Sequence, residues 1–205
     1  MRIAIDIDGV LAEFNPAFGR LLIDTSGRNL LPYDFATDPD WPSTWHWDAQ
    51  HGYTAFERER AWRLINKTDF LKRLPALPGV DLALMMLNCI STREDIYFNT
   101  QRNAHAANQL SQEWLYEHGM DNPTVICCEN KIPVFKELAI THILDDRLST
   151  CNDACFLTTP RNNVYLKDAP YNQKGRHMNL RVVTSIEDFL KKVGLWETSL
   201  ASLTP

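Results

Sequence analysis

The chain has 205 residues, 44% hydrophobic and 10% aromatic, with a formal net charge of -5 and a pI near 5.7. That length suits one globular domain, or a core domain carrying a small insertion, and is enough to bury a sizeable core. The acidic balance excludes a basic footprint for duplex nucleic acid, and no apolar run approaches the roughly 18 residues of a membrane-spanning helix. The N-terminus reads as a strand rather than a signal peptide, so the expected location is the cytoplasm. Five cysteines, Cys89, Cys127, Cys128, Cys151 and Cys155, include no CxxC pair and are expected to be reduced packing thiols.

In chain order, residues 2–8 form a first apolar, strand-like run that ends in DIDG. Residues 15–75 read differently: strands are indistinct, and the segment is rich in Trp, Pro and Asp, with WPSTWHWD at its centre. A helical face at Phe14, Phe18, Leu21 and Leu22 and a second helix over 54–65 predict a small, mainly helical cap inserted after the first strand. Pro78-Gly79 opens a helix whose apolar face is expected at Leu82, Met85, Met86 and Cys89. Strands are expected at 95–100, 124–128 and 142–145, and helices at 103–118, stopping at Gly119, and at 131–138. The residues that end in ETSLASLTP read as a frayed tail or an added short helix. The alternation predicts an α/β, Rossmann-like, mostly parallel sheet with helices on both faces. Residues 1–14 and 76–205 would form the core domain and 15–75 the cap.

In such sheets ligands sit at the carboxyl ends of the strands. Three separate polar clusters fall there: Asp6 with Asp8, Thr100, and Asp145 with Asp146. Strand residues two apart face one side, so Asp6 and Asp8 can approach a single cleft, and Gly9 permits a sharp turn after them. Crowded carboxylates repel unless a cation or proton compensates. Magnesium, which takes oxygen ligands in octahedral geometry, is the cation that fits this acidic set. A carboxylate nucleophile beside a metal, with a second carboxyl to shuttle a proton, is equipment for phosphoryl transfer. Thr100 can offer a hydroxyl and a backbone N–H to the phosphate, and Lys131 a full charge at a helix start. Lys136, five residues on, competes with Lys131 for that role.

Taken in order, DIDGV, YFNT, Lys131 and ILDD resemble the four motifs of the haloacid dehalogenase-like phosphohydrolase superfamily. Within it, DIDGVLAEF, the LPG before the second strand, ILDDR and DAPYN are similar to stretches of the 5'(3')-deoxyribonucleotidase family. The resemblance implies Asp6 as nucleophile and Asp8 as general acid, then base. It implies magnesium held by the Asp6 carboxylate, the Asp8 backbone carbonyl and Asp145, with Asp146 orienting a metal-bound water. Thr100 and Lys131 match the residues that hold the phosphate, and Phe14 the aromatic against a nucleotide base. FNTQR departs from the family's usual segment, which leaves Gln101 and Arg102 without an assigned role.

Trp45 or Trp47 would stack on a base, or else the cap tryptophans form the cap's own core. His46 and His51 read as surface or packing residues, and Cys127-Cys128 as packing at a strand end. The expected activity is magnesium-dependent hydrolysis of (deoxy)nucleoside monophosphates through an aspartyl-phosphate. The rivals are a phosphatase for another small ester, such as a sugar phosphate, and a non-catalytic phosphate-binding or regulatory protein. The expected partner is a small phosphate ester, with neither membrane nor duplex nucleic acid; a homodimer is left open.

Overall fold

A computed structural model describes residues 1–90, 96–102, 106–157 and 163–196. Its described strands are β1 (Ile3–Ile5), β2 (Ile96–Thr100), β3 (Thr124–Cys127), β4 (His142–Asp145), β5 (Asn163–Lys167) and β6 (Arg181–Val183). They form one sheet in the order β3-β2-β1-β4-β5-β6, every pairing parallel. The fold is therefore α/β and Rossmann-like. β1 is buried along its whole length, as the central strand of a sheet covered on both faces must be.

The period of two divides the core. Ile3, Ile5, Phe98, Leu144 and Tyr165 point into one cluster, and Ala4, Ile143, Val164 and Leu166 into the other. Helices α4 (Val80–Ile90), α5 (Ala107–Glu117) and α8 (Ile186–Lys192) supply Leu84, Leu87, Trp114 and Phe189 to the first. Helices α6 (Lys131–Glu137) and α7 (Leu148–Ala154) supply Phe135, Cys151 and Ala154 to the second.

Between β1 and α4 the chain forms α1 (Phe14–Ser26), α2 (Trp47–Gln50), α3 (Ala55–Lys67) and a 3₁₀ turn at Phe70–Arg73. α3 starts on a capping box: the Glu57 amide donates to Thr54 Oγ1 at 3.3 Å, and the Thr54 amide donates to Glu57 Oε2 at 2.8 Å. α1 ends where Gly27 takes a left-handed conformation, φ 69°.

Three expectations change. The first strand stops at Ile5 rather than running to Asp8, because the Ile7 carbonyl accepts from the amides of Leu11 and Ala12, both at 2.8 Å, and curls the chain into a turn. α4 buries Val80, Ala83, Leu84, Met86 and Leu87, while Leu82, Met85 and Cys89 are exposed. The helix is apolar on nearly every side, so periodicity alone cannot choose its core face; packing on the sheet and α8 does. β5 and β6 extend the sheet beyond the four strands expected. Asp95, the start of the 103–118 helix and the residues from 197 onward lie outside the described residues. All five cysteines are free of disulfides, and no described helix is long and apolar enough to cross a membrane.

Candidate active site

β1 lies between β2 and β4, the point at which the strand order reverses and a crevice opens at the carboxyl ends. The Asp6 amide donates to the Leu144 carbonyl at 2.9 Å and so fixes Asp6 beside the end of β4. Asp145 is the last residue of β4, and Asp146 follows it. One carboxylate oxygen from each of Asp6, Asp145 and Asp146 lies within 4.8 Å of the others, and all three residues are buried. Lys131, the first residue of α6, places Nζ 2.8 Å from Asp6 Oδ1 and 2.7 Å from Asp145 Oδ2. Lys136 is exposed on the last turn of the same helix and does not line the cavity.

Burial raises the Asp6 pKa to about 7, with Lys131 opposing and Asp145 and Asp8 adding to the rise. Burial also pushes Asp146 up, helped by the Asp6 and Asp145 charges. For Lys131, burial favours the neutral amine, but the carboxylates of Asp145 and Asp6 override it and hold the ammonium charged. The Tyr171 hydroxyl donates to Asp146 Oδ2, and Asn172 Nδ2 donates to the Asp146 carbonyl at 2.9 Å. Gly9, at φ 79°, is required here: a Cβ would run into the Asp146 carboxylate.

The Asp8 side chain turns away from this trio. Arg102 grips it in a bidentate pair, Nε to Oδ2 at 2.9 Å and Nη2 to Oδ1 at 2.7 Å. The buried Arg102 is itself braced by Ser111, whose Oγ accepts from Nη1 at 2.9 Å and donates to the Ala107 carbonyl. Thr100 ends β2, and its buried hydroxyl has no partner among the described residues. Gln101 bridges, donating to the Glu129 carbonyl and accepting from Arg147.

These groups line one cavity of about 640 Å³ that extends to α1–α3. Part of its lining is aromatic: Phe14 stacks on Phe18 at 5.5 Å and on Trp62 at 5.7 Å. Trp45 is half exposed, edge-on to Tyr171 at 5.4 Å and beneath the Arg147 guanidinium. Trp47 reaches the cavity but belongs mainly to the local core: it is 4% exposed, meets Phe18 and Trp41 edge-on and donates from Nε1 to Asn15. His46 lines the cavity and His51 does not.

The structure thus gathers Asp6, Asp8, Thr100, Lys131, Asp146, Phe14, Trp45 and Trp47 around one space, with Asp145 directly behind. Sequence reasoning did not assign Tyr171, Trp62, Arg58 or Arg147, and left Arg102 without a role. DAPYN was the signal for Tyr171. Trp62 could have been found from its position on the face of a helix that also carries Ile65. Three buried carboxylates against one ammonium leave an uncompensated negative charge, and all the donors are hard oxygens, so the residues fit a magnesium ion.

No protein-family model and no curated protein matches the sequence. Solved structures do match. A protein from Burkholderia xenovorans named as a haloacid dehalogenase-like hydrolase aligns over 95% of this chain and 97% of its own, with 13% identity and a TM-score of 0.55. One from Lactobacillus plantarum named as a phosphoglycolate phosphatase aligns over 93% and 97%, with 13% identity and a TM-score of 0.53. One from Thermotoga maritima named as a beta-phosphoglucomutase aligns over 95% and 99%, with 15% identity and a TM-score of 0.51. At these identities the likeness is one of fold: the chain folds as the haloacid dehalogenase-like hydrolases do.

Proposed function

We propose that this chain is a magnesium-dependent phosphatase that hydrolyses nucleoside monophosphates through an aspartyl-phosphate on Asp6. The observation that carries the reading is a buried carboxylate, Asp6, paired with a buried lysine in a cavity that stacked aromatic rings also line. The Lys131 ammonium and the Thr100 hydroxyl receive the phosphate oxygens. An Asp6 oxygen forms a bond to phosphorus while the bond to the leaving oxygen breaks, and Asp8 gives that oxygen its proton. Asp8 then takes a proton from water as the water oxygen attacks phosphorus, which releases inorganic phosphate and restores the Asp6 carboxylate.

Asp6, Asp145 and the Asp8 carbonyl would hold the magnesium ion, with Asp146 beside them. Once bound, it supplies positive charge that lets an anionic nucleophile approach an anionic ester. Arg102, bonded to both Asp8 oxygens, favours the carboxylate, so in this reading it must release one of them when Asp8 carries the proton that it gives to the leaving oxygen. Phe14 and Trp62 offer the flat surface on which a base gains about 1–3 kcal/mol. One neighbour is named as a phosphoglycolate phosphatase and another as a beta-phosphoglucomutase, which supports a second reading, a phosphatase for another small ester such as a sugar phosphate. A phosphate-release screen with magnesium separates the two. Nucleoside monophosphates should give the higher kcat/KM; a preference for sugar phosphates overturns the nucleotide reading and leaves the phosphatase reading standing.

A further inference from the structure

The three buried carboxylates are not held alike. Lys131 Nζ reaches Asp6 Oδ1 and Asp145 Oδ2, and the Arg147 amide donates to the other Asp145 oxygen, Oδ1, at 2.8 Å. Asp146 is different: among the described residues its carboxylate has a single hydrogen-bond partner, the Tyr171 hydroxyl, which donates to Oδ2. Without that donor a buried carboxylate would be unsatisfied, and nothing would fix its rotation about the Cβ–Cγ bond.

The chain holds the hydroxyl in place from several sides. Tyr171 is the middle residue of a 3₁₀ turn, Pro170–Asn172, that follows β5. Asn172, 1% exposed, pins this turn: its Nδ2 donates to the Lys167 carbonyl at 2.8 Å and to the Asp146 carbonyl at 2.9 Å, and its Oδ1 accepts from the Ala169 amide at 3.2 Å. The turn is thus tied to the backbone of the residue whose side chain Tyr171 bonds. Trp45 packs edge-on against the Tyr171 ring. Gly9 clears the remaining side, since a Cβ there would meet the Tyr171 hydroxyl at 3.0 Å as well as the Asp146 carboxylate.

We infer that Tyr171 is the positioning residue of the proposed magnesium site: its hydroxyl holds the Asp146 carboxylate in the place from which it serves the ion. This rests on the magnesium reading above and adds a supporting residue outside the ligand set. The residue type suits the task. A phenol offers a donor without a positive charge, so it fixes Asp146 and leaves the carboxylate's charge for a cation, where a second lysine would cancel it. Carboxylates at metal sites are themselves hydrogen-bonded, and loss of such a partner costs roughly 10- to 100-fold in metal affinity.

The test titrates magnesium chloride alone against the full-length wild type, Tyr171→Phe and Tyr165→Phe at pH 8, and takes the Kd for magnesium from the concentration dependence of Tm. Tyr171→Phe keeps the ring and its packing on Trp45 and removes only the donor. Tyr165→Phe is the matched control: Tyr165 is also buried, and its hydroxyl accepts from Arg181 at 2.9 Å outside the cavity. Tyr171→Phe should raise the Kd roughly tenfold or more, and Tyr165→Phe should lower Tm by the same amount at every magnesium concentration with the Kd unchanged. A hydroxyl that only stabilises the fold would make both variants behave as Tyr165→Phe does. A Kd for Tyr171→Phe within about threefold of wild type, or an equal rise in both variants, overturns this inference alone. A wild type whose Tm does not respond to magnesium overturns the magnesium reading and this inference with it.

Discussion

Asp6 and Asp145 share a single ammonium, that of Lys131, although each carboxylate is buried and Asp146 adds a third negative group. Such an arrangement costs folding free energy, since buried ion pairs seldom repay their desolvation, and a functional role is a reason to retain it. If Asp6 is the nucleophile, Asp6→Asn keeps the shape and removes the chemistry. Phosphate release should then fall by about 10³-fold or more, and a variant that keeps a tenth of the activity would sink the assignment. The acidic residues were legible in the sequence because each closes an apolar run. Arg102 was not, because its partner Asp8 lies 94 positions away and no local pattern joins a strand-end arginine to an aspartate in the first turn. Tyr171 lies within DAPYN, but only folding brings its hydroxyl to Asp146.

At the level of elements, the strands that carry the site were readable and the flanking ones less so. β1, β2 and β4 are short apolar runs followed by polar residues, whereas β6 is RVV, three residues among loops, and the face of the apolar helix α4 is fixed only by what packs on it. The amphipathic α1 and α3 were both readable, since each has one apolar stripe, and their meeting places Phe14 against Trp62. On the nucleotide reading proposed above, that contact would give the helices a joint role in substrate binding. Phe14→Ala should lower kcat/KM for a nucleoside monophosphate about ten- to a hundredfold, the worth of one stacked base. Its effect on phenyl phosphate should be smaller, because that substrate binds without filling the base pocket. Equal losses on both substrates would mean that Phe14 only supports the packing of Phe18, Trp62 and Phe70.

For the whole molecule, the buried carboxylates couple stability to pH and, on the reading proposed above, to magnesium. The folded-state pKa of Asp6, raised by burial from 3.8 to about 7, means that the folded chain holds this proton more tightly than the unfolded one. The associated stability is fully present below about pH 4 and is lost as pH rises through about 7; Asp146, also raised, acts in the same direction. Magnesium would require the ionised carboxylates, so proton and metal would compete for one site. At pH 5.5 an Asp6 with a pKa near 7 is mostly protonated, which weakens apparent magnesium affinity roughly thirtyfold, whereas at pH 8 the competition is nearly gone. A ligand that binds only the folded state raises its Tm in proportion to RT ln(1 + [L]/Kd). Without magnesium, the site should therefore make the protein less stable at pH 8 than at pH 5.5. A fixed millimolar addition of magnesium should raise Tm several degrees more at pH 8. Asp145→Asn, which removes one ligand and one repelling charge, should shrink both effects. Thermal unfolding at the two pH values, with and without magnesium, measures this directly; an equal magnesium shift at both would show that the three buried carboxylates are not the metal site.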